Sequence, residues 1–284
     1  MIASSFEYTA PATLAQALSL IADGAKPLAG GMSLIPMMKL RLATPEHLVD
    51  LGRLQELKYI RESGGEIQIG AGSTHYDIES SPLLRGKCPL LQETATYIGD
   101  IQVRNMGTIG GSIAHADPAA DYPAALQALE AKFVLTSSGA SRTVAAGEFF
   151  LDTFTTALEP GEIVTEIIVP SEPGLTGTSY KKFVQPASGF AVVGVAARVR
   201  QQGGSFSMVR VGVTGFGGYS FRAANVEQAL TGKPATEASI RAAVISVGEG
   251  VDPNTDLHAS ADYRRSLVVT YTIRALSTAL ARSA

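Results

Sequence analysis

The sequence contains one cysteine, Cys88, and this scarcity excludes whole classes of protein. A single thiol cannot form a disulfide within the chain, nor can it supply the thiolates of a zinc or iron-sulfur site. The 4 histidines are scattered, without the HxxxH or HExxH spacing that places two ligands on one helical face. We therefore predict no metal site in this chain and expect Cys88 to be a buried bystander.

An excess of charge and long apolar runs are also missing. The formal net charge is only -3, which argues against a surface that binds nucleic acid by releasing counterions. No run of about 18 apolar residues is present, and the start, MIASSFEYTA, lacks the features of a secretory signal. We expect a cytoplasmic protein with no transmembrane segment and no nucleic-acid partner.

The 284 residues suffice for two domains, and the linker-like stretch PSEPGLTG at Pro170–Gly177 predicts the boundary between them. Strand and helix patterns follow one another without strict βαβ alternation, which indicates an α+β fold in both parts. The predicted helices cover Leu14 to Ala22 after a Thr13 cap, Pro89 to Ile98, Tyr122 to Glu130 after an Asp121 cap, Glu237 to Val247, and the C-terminal stretch from about Asp262. The predicted strands are Lys26 to Ala29, the hairpins Leu57 to Arg61 with Glu66 to Gly70 and Phe133 to Thr136 with Arg142 to Val144, Glu162 to Val169, and the long hairpin Phe190 to Arg200 with Phe206 to Thr214.

Two glycine motifs in the N-terminal part could carry chemistry. AGGMS at Ala29–Ser33 and TIGGS at Thr108–Ser112 share a Gly-Gly step that is followed within two positions by a hydroxyl. Adjacent glycines let backbone N–H groups converge in a concave nest, which can hold a diphosphate without a basic cluster. Each motif alone could be only a turn. Together they favour a phosphate-bearing ligand such as a sugar nucleotide, a flavin or a coenzyme A.

A third glycine-rich stretch, GFGGYS at Gly215–Ser220, is close to the dinucleotide-binding pattern GxGxxG but ends in serine. Arg210 in the preceding strand suits a half-solvated antiparallel strand better than the buried first strand of a Rossmann unit. We predict a tight strand-to-helix turn here.

Three segments resemble a known family: PLAGGMSLIPMMKLRLATPEHLVDL, IQVRNMGTIGGSIAHADPAADYPAAL and YKKFVQPASGFAVVGVAA. They are similar to the medium, FAD-binding subunit of the molybdenum hydroxylases (the xanthine dehydrogenase family), and most of all to the medium chain of aerobic carbon monoxide dehydrogenase. The resemblance covers essentially the whole chain. It implies a two-lobed FAD-binding domain of the vanillyl-alcohol-oxidase (PCMH) type at residues 1–172, with lobes at about 1–55 and 56–172. A smaller α+β C-terminal domain with an antiparallel sheet and helices would follow at residues 178–284.

The resemblance also implies a function. Non-covalently bound FAD would pass electrons from [2Fe-2S] clusters of a small partner subunit to an external acceptor. A molybdenum cofactor in a large subunit would oxidise the substrate, so this chain would hold no catalytic residue for that step. The family implies a dimer of heterotrimers, and association of the complex with the inner face of the membrane stays open. The alternatives are a self-sufficient flavin oxidase or reductase of the same fold acting on a small molecule, and a non-catalytic nucleotide-binding module.

Carried over residue by residue, the resemblance implies an FAD site made of Leu28, Ala29, Gly30, Gly31, Met32, Ser33, Leu34, Val103, Thr108, Ile109, Gly110, Gly111, Ser112, His115, Asp121, Val164 and Lys182. The two glycine motifs would wrap the diphosphate, and Asp121 would contact polar FAD atoms or act only as a helix cap. Lys182, or its neighbour Lys181, would place a cation near the reduced ring. Met32 stands where the carbon monoxide dehydrogenase chains usually have histidine, and Ser112 where they often have asparagine. The first loop therefore offers no residue for covalent flavin attachment, and Met32 no hydrogen-bond donor.

Overall fold

The computed structural model describes residues 2–172 and 174–283. Pro173 of the predicted linker and residues 1 and 284, at the outer ends of the two predicted domains, lie outside the described residues. The helices are α1 (Leu14–Ala22), α2 (Leu34–Lys39), α3 (His75–Ser80), α4 (Pro82–Lys87), α5 (Pro89–Thr96), α6 (Ile101–Met106), α7 (Ile109–His115), α8 (Asp121–Ala128), α9 (Ala146–Phe149), α10 (Ala224–Leu230), α11 (Glu237–Ala243) and α12 (Ala261–Arg282). The strands are β1 (Glu7–Thr9), β2 (Lys26–Leu28), β3 (His47–Asp50), β4 (Ile60–Ser63), β5 (Glu66–Gly70), β6 (Lys132–Thr136), β7 (Ser141–Ala145), β8 (Phe150–Asp152), β9 (Thr155–Thr156), β10 (Ile163–Pro170), β11 (Gly177–Val184), β12 (Ala191–Gln202), β13 (Ser205–Thr214) and β14 (Phe221–Arg222). Within the described residues, no helix is both long enough and apolar enough to cross a membrane.

The first sheet is small and parallel, with strand order β1-β3-β2. Helix α1 packs on it through Ala17, Leu18 and Ile21. The Thr13 Oγ1 accepts a hydrogen bond from the Gln16 N–H at 3.3 Å, which confirms the predicted helix start. Strand β2 leads directly into the motif AGGMS, so this sheet determines where the first glycine loop begins.

The second sheet has five antiparallel strands in the order β4-β5-β10-β6-β7. Its fully buried side chains, among them Ile67, Ile69 and Phe133, share one core with the helices α3, α4, α5, α7 and α8. The predicted hairpins are confirmed, although β4 begins at Ile60 because the residues before it form a 3₁₀ turn. Cys88 is 1% exposed in this core, and burial raises the pKa of its thiol to about 12. It is the inert thiol that we expected.

The C-terminal sheet is antiparallel, with order β11-β12-β13-β14. One face packs against α10, α11 and α12, and the other packs against α8 of the N-terminal part. The central strand β12 places Val193 and Val195 in the C-terminal core and Ala196 in the core of the second sheet. Because both faces are buried, this strand is apolar along most of its length instead of alternating. The α+β prediction for both parts is confirmed.

Helix α8 and strand β13 approach each other closely at Gly212. A Cβ atom at this position would overlap the carbonyl oxygen of Ala124 in α8. Only glycine lets the helix backbone lie directly on the strand. Nearby, the guanidinium of Arg198 on β12 donates two hydrogen bonds to the carboxylate of Glu172, and both side chains are buried. These contacts join the two halves of the chain.

Three local predictions are wrong. The stretch Gly215–Ser220 connects β13 to the antiparallel strand β14 and only then to α10, so it is not a strand-to-helix turn; the Rossmann interpretation is also excluded. Helix α11 ends at Ala243, where a 3₁₀ turn takes over. Helix α8 begins one residue earlier than predicted, with Ala120 at the cap position. Asp121 is therefore inside the helix and caps nothing.

Candidate functional site

The two glycine motifs lie side by side. A Cβ atom at Gly30 would overlap the carbonyl oxygen of Met106 and lie 2.7 Å from the Cα of Gly107, just before the second motif. A Cβ atom at Gly111 would lie 3.9 Å from the Cβ of Ala29. The first loop therefore rests on the backbone that enters α7, and glycine at position 30 is a condition of this contact. The structure brings together the two motifs that we predicted to act together.

The first loop presents free hydrogen-bond donors. Gly31 has a φ of +73°, a left-handed conformation that favours glycine. Within the described parts of the chain, the backbone N–H groups of Gly30, Gly31, Met32 and Ser33 donate no hydrogen bond. Ser33 takes the cap position of α2, and its side chain accepts no capping bond. Converging free amides are the donor set that an anionic group such as a diphosphate requires.

The second motif is the start of a helix, and here the predicted nest is wrong. The Gly111 N–H donates to the Thr108 Oγ1 at 3.1 Å. The Ile109 N–H donates to the carbonyl of Ser73 at 3.0 Å, and the Gly110 N–H donates to the carbonyl of Ala71 at 2.9 Å. Three amides that we expected to hold a ligand are therefore occupied by the protein.

The two glycines of the second motif serve different ends. A Cβ atom at Gly110 would lie 2.5 Å from the Cβ of Ala71, so this glycine allows α7 to pack on the end of β5. Gly111 is exposed and faces the first loop. The half-exposed hydroxyl of Ser112 stands beside it. The second motif thus contributes a bare surface and one hydroxyl, and the first loop contributes the amides.

Helix α7 has an exposed face that begins beside the glycine loops. Ile109, Gly110 and Ile113 are buried toward the core, while Gly111 and Ala114 are exposed. Residues four apart share a helical face, so His115 lies one turn beyond Gly111 on the same side. Its exposed residues Gly111 and Ala114 have no side chain or only a methyl group, so little projects from this face. A ligand held at the glycine loops can therefore lie against the helix itself.

His75, which we did not predict, lies next to the turn that leads into α7. It is 5% exposed, and burial lowers the pKa of its imidazole to about 4. Its backbone N–H donates to the carbonyl of Gly107 at 2.9 Å. A Cβ atom at Gly107 would lie 2.5 Å from the His75 Nε2. The neutral ring thus packs directly behind the α6–α7 turn. A lone histidine in a helix gives no sequence signal for such a role.

The remaining apolar positions of the predicted site differ in exposure. Met32 is 38% exposed, and Leu28, Leu34 and Val103 are partly buried around the first loop and α6. Val164 is 5% exposed and belongs to the core of the second sheet. It therefore lies in the packing behind α7 and does not form an open wall, contrary to what we expected of a pocket-lining residue.

Asp121 forms a buried ionic cluster instead of capping its helix. Its carboxylate accepts a hydrogen bond from the Tyr180 hydroxyl at 2.5 Å and an ion pair from the Lys182 Nζ at 2.9 Å. Burial raises the pKa of this carboxyl to about 6, although the lysine charge and the tyrosine hydrogen bond oppose the shift. Tyr180 and Lys182 are two residues apart on β11, so both point to the same face of the strand. That spacing was the signal that could have identified Tyr180.

The Lys182 ammonium uses all of its donors within the protein. Besides Asp121, it donates to the carbonyl of Tyr97 at 2.8 Å and to the carbonyl of Gly189 at 2.6 Å, and its side chain is 2% exposed. An ammonium has three N–H donors, so none is left for a ligand. Lys182 and Asp121 together are a neutral pair that fixes the loop at Gly189 against the N-terminal part. Lys182 as a cation near the flavin ring stays a prediction, and the structure shows that its charge is paired with Asp121.

Comparison with known proteins identifies the family. Residues 4–172 match the family described as the FAD binding domain in molybdopterin dehydrogenase. Residues 178–279 match the CO dehydrogenase flavoprotein C-terminal domain. The chain belongs to the FAD-binding medium chains of the molybdenum hydroxylases. FAD is thus the cofactor of this medium chain, and the chain is the flavoprotein subunit of an oxidoreductase complex.

The medium chain has full-length relatives. It is 42% identical over 287 residues to the carbon monoxide dehydrogenase medium chain of Hydrogenophaga pseudoflava, with 100% of both chains covered. It is 39% identical to the glyceraldehyde dehydrogenase medium chain of Sulfolobus acidocaldarius, covering 97% of this chain and 98% of that one. Among solved structures, carbon monoxide dehydrogenase from Hydrogenophaga pseudoflava matches with a TM-score of 0.97 and 44% identity over 100% of both chains. Quinoline 2-oxidoreductase from Pseudomonas putida 86 matches with a TM-score of 0.93 and 32% identity over 99% of both.

The residues at the junction of the glycine motifs fit the diphosphate of FAD. Free amides of the first loop supply donors, Ser33 and Ser112 supply hydroxyls, and the absence of a Cβ at Gly111 leaves room for close approach. A nest of this kind needs no basic side chain, which suits the low charge of the medium chain. Among the residues that the structure describes, no group of three or more His, Cys, Asp or Glu could hold a metal ion.

Proposed function

We propose that this medium chain is the electron-transfer subunit of a heterotrimeric molybdenum hydroxylase. In this proposal it receives electrons from the [2Fe-2S] clusters of a small subunit and delivers them to an external acceptor. The observation that carries the proposal is the junction of the two glycine motifs, where free amides and hydroxyls meet beside a bare helix face. Bound FAD supplies a carrier that exchanges electrons singly or in pairs.

The chain's own residues would bind and orient the cofactor. In our proposal the amides of Gly30 to Ser33 donate to the diphosphate, and the exposed face of α7 at Gly111 receives the adjoining part of the ligand. The Asp121–Lys182 pair holds the loop at Gly189 of the C-terminal domain against Tyr97 of the N-terminal domain. The remaining predicted positions other than Val164 stay predictions, as do the domain bounds at 172 and 178.

The partners follow from the family. Relatives are named as the medium chain of carbon monoxide dehydrogenase, as subunit alpha of the 6-hydroxypseudooxynicotine dehydrogenase complex and as the medium subunit of nicotine 6-hydroxylase. Such names support partner subunits for this chain. We propose a large subunit with the molybdenum cofactor, a small subunit with the [2Fe-2S] clusters, and assembly as a dimer of heterotrimers. The substrate would then be selected in the large subunit.

Coexpression with the candidate partner subunits tests this function. The three chains should copurify in equal amounts with FAD, molybdenum, iron and sulfide, and light scattering should give twice the mass of one heterotrimer. In anaerobic stopped-flow experiments, substrate should bleach the flavin absorbance only when the [2Fe-2S] subunit is present. Equal bleaching without that subunit would contradict the electron route. Substrate turnover by the isolated chain would favour the self-sufficient oxidase.

A pair of matched glycine variants tests the placement of the cofactor. Gly111 and Gly86 are both exposed helical glycines, but only Gly111 faces the first loop. Gly111→Ala should raise the dissociation constant for FAD about tenfold, because a methyl group obstructs close approach. The same Cβ would lie 2.9 Å from the Thr108 hydroxyl that caps α7, so Thr108→Val, which loses the cap without adding a group at position 111, measures the share of the cap. Gly86→Ala has open space around its Cβ and should leave flavin content unchanged. Normal FAD binding by the Gly111 variant would reject the site.

A further inference from the structure

An aromatic residue holds an unusual backbone conformation beside the C-terminal end of α7. Phe154 has a φ of +52° and lies in the tight turn between β8 and β9. This left-handed region favours glycine and asparagine, and a bulky aromatic residue there is an outlier. Phe154 is also 56% exposed, so burial of its ring does not offset the strain. Strained backbone of this kind clusters at functional sites, where the surrounding structure holds it in place.

The turn is fixed by its surroundings. The Phe154 N–H donates to the carbonyl of Ala116 at 3.2 Å, and Ala116 ends α7 with its own positive φ of 49°. The Thr153 hydroxyl donates to the carbonyl of Gly218 at 3.0 Å, and the Thr153 N–H donates to the Asp152 carboxylate at 2.7 Å. Contacts to the end of α7 and to the C-terminal domain therefore determine where the Phe154 ring stands.

The Phe154 ring stands against His115. The two ring centroids are 5.0 Å apart and the planes are inclined by 37°. Burial lowers the pKa of His115 and the nearby Lys26 lowers it further, while Asp117 raises it. The pair thus presents a neutral aromatic surface. His115 is one turn from Gly111 on the exposed face of α7, ~6 Å along the helix axis.

We infer that Phe154 and His115 form an aromatic platform on which one planar ring of bound FAD stacks. The inference rests on the proposed placement of the diphosphate at the glycine loops. A ligand anchored there and lying along α7 arrives at this pair after one helical turn. Adenine and isoalloxazine share the required chemistry, a flat aromatic surface that stacks at 4.5 to 7 Å between centroids. Phe154 acts here as a positioning residue for the cofactor.

The variants separate a binding role from a structural one. Phe154→Gly removes the ring and at the same time relieves the backbone strain, so the flavin-free protein should melt at the same or a higher temperature. The same variant should bind FAD about three- to tenfold more weakly in the partner-subunit complex stripped of flavin. Phe154→Tyr keeps a ring and should restore the affinity. Arg41→Gly relieves a matching left-handed residue, φ +60°, without removing a ring, and should leave FAD affinity unchanged.

Comparing ligands shows which ring stacks. If adenine occupies the platform, Phe154→Gly weakens FAD and leaves FMN unaffected. If isoalloxazine occupies it, FAD and FMN weaken by the same factor and the visible flavin spectrum shifts. Wild-type affinity of Phe154→Gly for both flavins would overturn the platform while leaving the cofactor placement intact. Failure of the wild-type complex to bind FAD, or normal binding by Gly111→Ala, would reject the placement itself.

Discussion

Replacing Lys182 with methionine isolates the contribution of one buried charge, because methionine keeps most of the side chain's length. In the wild-type protein, burial raises the pKa of Asp121 from 3.8 to about 6 even beside the lysine. A carboxyl whose pKa is raised in the folded state binds its proton more tightly there than in the unfolded state. The free energy of unfolding therefore decreases as the pH rises from the unfolded-state pKa to the folded-state pKa. The wild-type penalty is therefore complete above about pH 6.

In Lys182→Met the penalty continues to grow. Without a neighbouring cation, a fully buried carboxyl has its pKa raised by roughly 3 to 5 units, to about 7 to 9. Each pH unit between 6 and that value costs ~1.4 kcal/mol, so the variant should lose about 1.5 to 3 kcal/mol relative to wild type from pH 6 to 8. The missing hydrogen bonds to the carbonyls of Tyr97 and Gly189 add about 1 to 3 kcal/mol at every pH.

Urea unfolding of the flavin-free chain, followed by circular dichroism at pH 6 and pH 8, measures both components. Lys181→Met is the matched control, since Lys181 neighbours Lys182 on β11 and faces the opposite side of the strand. We expect it to change stability little at either pH. A loss for Lys182→Met that is the same at pH 6 and pH 8 would refute the reasoning, because Asp121 would then not be the group that feels the missing charge.

Three further substitutions test the framework of the site. Gly30→Ala should lower both the melting temperature and the FAD content, because a Cβ atom there overlaps the backbone that enters α7. Gly86→Ala is the control and should change neither quantity, as measured by thermal unfolding and by flavin absorbance. Thr108→Val removes the cap of α7 and should cost about 0.5 to 2 kcal/mol in urea unfolding; a neutral result would mean that the cap adds nothing. Glu172→Met removes the nearer carboxylate of the buried Arg198 and leaves it only Glu130, at 3.5 Å. It should cost up to about 3 kcal/mol, which Arg198→Met in the same chain should partly restore in a double-mutant cycle.

The sequence predicts most helices and strands of the fold, and it predicts that the two glycine motifs belong to one site. Capping at Thr13, the hairpin turns and the apolar periodicities depend on neighbouring residues, so the corresponding elements are confirmed with shifts of a few residues. The Gly-Gly steps predicted two amide nests that would act together on one phosphate-bearing ligand, and the structure places the two motifs side by side. Family resemblance then supplied the ligand that pattern alone left open.

The wrong predictions concern residues whose structure depends on contacts with distant parts of the chain. TIGGS begins a helix that Thr108 caps locally. The amides of Ile109 and Gly110 are occupied by the carbonyls of Ser73 and Ala71, more than 30 residues earlier, and no local signal shows this. Asp121 looked like a helix cap because acidic residues favour that position, but its partner Lys182 lies 61 residues away. The left-handed φ of Phe154 has no sequence signature either, since neither glycine nor asparagine occupies the turn.

The contact between Gly212 and Ala124 links the packing of the two halves to the chemistry of the site. Helix α8 carries Asp121 at its first residue and Ala124 almost one turn later, so both are displaced together if the helix moves. A single methyl group at position 212 would lift the helix from β13, and Asp121 would leave Tyr180 and Lys182 with it. The missing side chain at Gly212 in the C-terminal sheet therefore helps to determine where Asp121 lies. We expect alanine at this position to weaken the Asp121–Lys182 ion pair, although residue 212 does not contact either side chain.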